Sequence, residues 1–198
     1  MASGSARSGA GPGAHPDADR DRHLSRMLAD RVIAIANPET ALVVGCGRGL
    51  LVQALADKGV DAHGIDESDD KVSGAPVEVR PRLEVASVTK PLGARYGVIT
   101  CLDVLPGLDP ADAQAGIEAV CAATDRVVFA SAPGTGSARA SLSAPSDWVA
   151  SFAERGFFRR TDVALDFWSP WTVLFERSDI QPRDIVHRYE TTLSSLES

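Results

Sequence analysis

Three glycines and the acids that follow them are the residues of this sequence best spaced to do chemistry together. Gly45, Gly47 and Gly49 alternate with Cys46 and Arg48, directly after the apolar run Ala41–Val44. Glycine at those positions lets a ligand approach the backbone, because no Cβ stands in the way. Asp66 lies 21 residues after Gly45, at the end of a second apolar run, and is followed by Glu67. An acid at that spacing is suited to accept hydrogen bonds from both ribose hydroxyls of an adenosine. Together, loop and acid point to a nucleoside site.

A second acid, Asp103, ends a later apolar run. It is the best-placed candidate for a general base, although strand-end acids also fix loops or cap the next helix. The histidines add little. His15 and His23 precede the core, His187 follows it, and His63 alternates with core residues. No pair has the spacing of metal ligands, so no metal is expected. Cys46 is read as a small lining residue of the loop, and Cys101, in an apolar strand, as inert.

The elements that must position these groups are legible from hydrophobic periodicity. Positions 22–36 read as a helix that stops at Asn37-Pro38. Short strands then alternate with helices. The strands are 41–44, 60–65, one within 77–87, 96–102 and 126–131, and the helices are 50–58, ended by Gly59, and 112–123. A Gly/Ser loop over 133–143 precedes a helix at 146–155, with Ser146 as N-cap and Gly156 as stop. Within that loop, 134–140 could act as a lid or be a plain flexible loop. The runs 161–168 and 171–177 are joined only by Ser169-Pro170, too short for a parallel crossover, so they are expected as an antiparallel hairpin. Trp168 and Trp171 flank its bend; packing or an interface is the simpler reading, an acceptor pocket the other. The fold expected is α/β: a Rossmann-like, seven-stranded, mostly parallel sheet with helices on both faces and an antiparallel C-terminal hairpin. The domain spans 22–180, between a disordered tail at 1–21 and a C-terminal helix within 181–198. That helix carries Ile185, Val186, Tyr189, Leu193 and Leu196 along one side. Such a stripe docks on its own domain or on another chain.

Composition excludes several classes. The 198 residues fit one domain, and 44% hydrophobic with 24% charged residues is ordinary for a globular chain. A net charge of −7 argues against nucleic acid or an anionic membrane as partner. Three cysteines match neither a disulfide scaffold nor a metal site and suit a reduced, cytoplasmic protein. No apolar run approaches the ~20 residues of a membrane span, and the first residues lack the apolar core of a signal peptide.

The dinucleotide fingerprint would put its third glycine at position 50, which is Leu50, whereas the chain has Gly49. With the antiparallel end, that difference favours S-adenosylmethionine over NAD as the nucleoside. The sequence resembles class I S-adenosylmethionine-dependent methyltransferases over about 37–177. Gly45–Gly49 looks like their first motif, Gly64-Ile65-Asp66 like the ribose-binding strand end, and Cys101-Leu102-Asp103 like the fourth-strand motif. The resemblance implies cofactor contacts at Gly45, Cys46, Gly47, Gly49, Asp66, Glu67, Ser87, Val88, Cys101 and Leu102, with Ser87-Val88 against adenine. YGVITCLDVL, LFERS and VHRYE are similar to a bacterial subgroup often encoded with glycosyltransferases. That likeness implies a small-molecule or glycan acceptor, such as a secondary-metabolite sugar, and a homodimer or a glycosyltransferase as partner. Several family features are replaced. The usual acid two residues before the first glycine is Val43, the usual Asp of the fourth strand is Gly97, and a Glu-His pair is Pro106-Gly107. The Thr-His usual after the fifth strand has no match in 133–143. Two readings stand: a methyltransferase working by in-line displacement, or a non-catalytic methyltransferase-like binding or scaffold protein.

Overall fold

β-Branched and aliphatic residues cluster in short runs, and each run becomes a strand whose alternate side chains serve opposite faces of one sheet. In the computed structural model, which describes residues 16–131 and 144–196, the strands are β1 (Thr40–Val44), β2 (Asp61–Asp66), β3 (Leu83–Val85), β4 (Val98–Leu102), β5 (Arg126–Ala130), β6 (Phe157–Arg159) and β7 (Thr172–Arg177). They form one seven-stranded sheet in the order β3-β2-β1-β4-β5-β7-β6. The first five are parallel, and β7 runs antiparallel to both β5 and β6. The helices are α1 (Pro16–Ala36), α2 (Leu50–Ala56), α3 (Asp69–Ser73), α4 (Pro110–Ala123), α5 (Pro145–Ala153) and α6 (Pro182–Leu196).

The alternation divides the core. Leu42, Val44, Ile99 and Phe129 pack on one face with Ile117 of α4 and Trp148 and Phe152 of α5. Ala41, Val43, Val98 and Val128 pack on the other with Leu28 and Val32 of α1 and Val52 and Leu55 of α2. Phe129 centres an aromatic group: its ring lies 5.0 Å from Trp148, 5.4 Å from Phe152 and 5.9 Å from Trp171. Trp171 therefore packs on the α4/α5 face, while Trp168 packs on the other.

The sheet has the expected class, strand number and antiparallel end, but the hairpin is built differently. The strand beside β7 is Phe157–Arg159, not 161–168, with Phe157 opposite Arg177 and Arg159 opposite Phe175. Gly156, at φ +77°, turns the chain out of α5 so that Phe157 enters the aromatic group at once. The alternating run 161–168 is spent differently: Val163, Leu165, Phe167 and Trp168 cover the α1/α2 face. Periodicity alone does not separate a strand from a loop that buries alternate residues.

Other boundaries also shift. α1 starts at Pro16, inside the segment expected as tail; residues 1–15 lie outside the described residues, as does the 133–143 loop with its lid segment. α5 starts at Pro145, and Ser146 is not its cap: the Ala144 N–H donates to Asp147 Oδ2 at 3.2 Å. The polar stretch after Asp66 contains α3, capped by Ser68, whose hydroxyl accepts from the Lys71 N–H. β4 begins at Val98, and Tyr96 makes only an isolated bridge to Thr124. α6 has the expected span and leaves Ile185 and Val186 exposed. Among the described residues no helix is long and apolar enough to cross a membrane.

Two buried side-chain atoms have no hydrogen-bond partner among the described residues, Thr100 Oγ1 and Trp148 Nε1. The Thr100 side chain on β4 is 0% exposed, and its hydroxyl has no hydrogen-bond partner among the described residues. Thr100→Val is expected to stabilise the protein by about 1 kcal/mol, since an unsatisfied buried hydroxyl costs ~1–3 kcal/mol. Urea denaturation measures this, and an unchanged or lower midpoint would contradict it.

Candidate functional site

Strand β1 delivers the glycine loop and β2 the acid that fastens it. The Gly45 and Cys46 N–H groups both donate to the Ile65 carbonyl, at 2.8 and 3.0 Å, and the Gly49 N–H donates to the Cys46 carbonyl. Gly45, at φ +73°, has backbone geometry that a side chain disfavours. A Cβ there would also lie 2.2 Å from Val104 Cγ2, so Val104 already fills that space.

Asp66 is 8% exposed, and its carboxylate is held from two sides. Oδ2 accepts from the Gly47 N–H at 2.9 Å, and Oδ1 from the Ser68 N–H at 3.0 Å. Lys71 Nζ, on α3, stands 3.7 Å from Oδ1. Each carboxylate oxygen carries two lone pairs, so two backbone donors leave capacity for ligand hydroxyls. The acid thus shapes the glycine loop as well as facing the ligand space.

Both ends meet in a cavity of about 510 Å³ at the C-terminal ends of β1, β2 and β4. Of the residues singled out in the sequence, Gly45, Asp66, Glu67, Val88, Leu102 and Asp103 form its wall. The others do not. Gly47 acts through its N–H on Asp66. Gly49, at φ +81°, faces Leu83 and Val79 instead. Cys46 is buried beside Gly64, and burial followed by the nearby Asp66 charge pushes its thiol up to about 11. Cys101 is 0% exposed, with burial pushing its thiol up to about 12. The Ser87 hydroxyl lies 2.9 Å from Thr89 Oγ1, and the residue lines a neighbouring cavity of about 400 Å³. Ile65 and Ala86 belong to both cavities.

Sequence reasoning missed Ser68, Lys71, Val104 and Leu108, which with Val44, Ile65, Ala86 and Gly107 complete the wall. Ser68 was recoverable as an N-cap ahead of an acidic first turn; nothing in the sequence singles out Lys71. Gly107, one of the replaced family positions, contributes open space: a Cβ there would meet nothing within 4 Å. Gly97, another, sits where a Cβ would come 3.1 Å from the Thr40 carbonyl oxygen. Asp103 departs from strand geometry. Its φ is +57°, and its N–H donates to the Ala130 carbonyl at 3.0 Å. Left-handed geometry is tolerated best by Asn and Asp among residues with side chains, and such outliers gather at functional sites. Among the described residues no group of His, Cys, Asp and Glu is placed to hold a metal ion.

A larger cavity, about 620 Å³, lies between α4 and the segment from Thr89 to Arg95. It shares no residue with the glycine loop or with the strand-end acids, so we place the site in the smaller one. At the other end of the strands the charges pair among themselves. Asp125 meets Arg95 and Arg177, and Glu176 meets Arg126 and Arg160. The Arg177 and Arg126 contacts hold the Asp125 and Glu176 carboxyls below the usual range.

The chain matches no protein-family model. Over 92 residues it is 32% identical to a ubiquinone biosynthesis O-methyltransferase of Nitrosomonas europaea, a match covering 41% of this chain and 39% of the relative. The match thus spans about two-fifths of that curated relative. Among solved structures, a magnesium protoporphyrin IX methyltransferase from Synechocystis with bound S-adenosylmethionine aligns at a TM-score of 0.62 and 23% identity, over 85% of this chain and 87% of that one. A sugar N-methyltransferase from Streptoalloteichus aligns at 0.62 and 17% identity, over 90% and 99%. The chain has the Rossmann-like fold of S-adenosylmethionine-dependent methyltransferases.

Proposed function

We propose that this protein is an S-adenosylmethionine-dependent methyltransferase with a small-molecule acceptor. The observation that carries the reading is Asp66: a buried carboxylate ending β2, locked to the glycine loop through the Gly47 N–H, and facing a 510 Å³ cavity. Sites for cofactors commonly measure ~300–1,000 Å³ and lie outside the C-terminal strand ends of open α/β sheets. The residues fit the cofactor. Asp66 accepts the ribose hydroxyls, Ile65, Ala86 and Val88 supply an apolar slot for the base, and Gly45 brings bare backbone to the wall. Bound there, the cofactor supplies an activated methyl group. The protein's part is alignment, holding an acceptor atom within ~3–3.5 Å and in line with the methyl carbon. An amine or phenolate needs little more, whereas a sugar hydroxyl needs a base within hydrogen-bond reach. The sequence resemblance supports a glycan or secondary-metabolite sugar as acceptor, a cytoplasmic setting, and a glycosyltransferase or second copy as partner.

Isothermal calorimetry with S-adenosylmethionine, S-adenosylhomocysteine and NADH tests the reading. Micromolar binding of the two adenosyl ligands and none of NADH is expected. No heat at millimolar adenosyl ligand, or equal binding of NADH, would refute it. Binding followed by no transfer to any amine, phenol or sugar in a labelled-methyl assay would favour the non-catalytic scaffold, which the apolar Val43 and the Pro106-Gly107 pair also suit.

A further inference from the structure

We propose that Arg22, Arg26 and Arg48 form a second binding site, one that takes the phosphate group of a small phosphorylated polyol or sugar. The three side chains line one cavity of about 280 Å³, between α1, the glycine loop and the segment that leads to β3. α1 supplies two of them at i and i+4, so they lie on one face, a single turn apart. They border the buried patch of Ser25, Leu28 and Ala29, which seats α1 on the domain. Arg48 comes from the glycine loop itself, between Gly47 and Gly49. Its guanidinium lies against Gly74, the residue that ends α3: a Cβ there would come 3.2 Å from Nη2 and 3.5 Å from Nε. Bare backbone at Gly74 therefore leaves the place that the Arg48 head occupies.

What marks the cavity is the pairing it lacks. Elsewhere on the surface Arg82, Arg95, Arg126, Arg160 and Arg177 each meet an Asp or Glu at 2.5–2.9 Å. Arg26 and Arg48 have no ion-pair partner among the described residues, and Arg22 has an exposed contact of 3.4 Å to Asp19. Exposed pairs of that kind hold a side chain only weakly. Two acids, Asp57 and Glu78, line the same cavity, yet neither closes on an arginine. Asp57 accepts from Gln53 Nε2 instead. In a structural charge cluster the two signs would meet, as they do around Asp125 and Glu176. Here they stay apart in one cavity with apolar lining from Leu50, Ala54 and Val79. Guanidinium groups hold phosphate through paired N–H donors, a geometry that suits arginine above lysine. Carboxylates beside them accept from hydroxyl groups and repel a second anion. The lining thus matches one phosphate on a hydroxyl-bearing body. Its volume lies just below the ~300–1,000 Å³ of sites for drug-sized ligands, which restricts that body to about one sugar ring. The cavity shares no residue with the one at the strand ends, so the site does not depend on the methyltransferase reading.

Calorimetry with glucose 6-phosphate, inorganic phosphate and glucose tests the site. Glucose 6-phosphate is expected to bind at least about tenfold tighter than either of the others, since it alone meets both the arginines and the acids. Arg26→Gln and Arg48→Gln should each weaken it by about tenfold, the worth of one charge-assisted contact, with the melting temperature unchanged. Arg159→Gln, on β6 at the far edge of the sheet, should leave it as in the wild type. No binding at millimolar glucose 6-phosphate would overturn the site. So would an affinity unchanged in both cavity variants, or an equal loss in Arg159→Gln, which would mark a general effect of charge. Inorganic phosphate binding as tightly as glucose 6-phosphate would overturn the hydroxyl-bearing ligand, and glucose doing so would overturn the phosphate. A wild-type chain that binds glucose 6-phosphate and no adenosyl ligand would refute the function proposed above and leave this site standing.

Discussion

Asp66→Ala is expected to weaken S-adenosylhomocysteine binding by more than about tenfold, because a bidentate, charge-assisted contact to the ribose is lost. The carboxylate also satisfies the Gly47 and Ser68 N–H groups, and Lys71 Nζ lies 3.7 Å away. Removing the acceptor from half-buried backbone donors costs about 1 kcal/mol, so the variant should also melt a few degrees lower. Calorimetry and a thermal melt on the same sample separate the two effects. An unchanged affinity would refute the placement of the ribose, whatever the melting temperature. Asp66→Asn is the informative companion, since an amide oxygen can still accept from one backbone donor but carries no charge.

Gly45→Ala is the second large effect. Two costs add there. The backbone at φ +73° charges a side chain ~1–2 kcal/mol, and the new Cβ would overlap Val104 Cγ2 at 2.2 Å. Valine is stiff at χ1 and cannot swing away freely, so overpacking adds roughly 1–3 kcal/mol. The melting temperature should fall clearly, and nucleoside binding should be lost as Val104 is driven into the cavity. Combining Gly45→Ala with Val104→Ala should recover part of both losses, by double-mutant analysis. Gly47→Ala is a useful contrast: its φ is +55°, but a Cβ would meet nothing within 4 Å, so only the backbone cost applies. Equal losses for Gly45→Ala and Gly47→Ala would show that the Val104 contact is irrelevant.

These effects show which parts of the molecule can be read from the chain. The parallel half was legible because β1, β4 and β5 are buried apolar runs bounded by turn residues, and Gly45 to Asp66 has the length of one strand–helix–strand unit. The antiparallel end was legible only as a class. Two alternating runs compete for the place beside β7, and the winner is decided by the aromatic group that Phe157 joins, a long-range property. The same limit applies at the cavity. Asp66 could be found from its distance to Gly45, whereas Lys71 and Val104 enter the wall through the turn of α3 and the bend at Asp103. No periodicity records either. Asp103 was legible as a strand-end acid, but its left-handed backbone was not.

A crystal structure of the chain with S-adenosylhomocysteine tests the central claim most directly. The ligand is expected at the C-terminal ends of β1, β2 and β4, with both ribose hydroxyls within hydrogen-bond distance of Asp66 and the base against Ala86 and Val88. Density for the nucleoside in the cavity beside α4, or in the strand-end cavity with its ribose away from Asp66, would contradict the account.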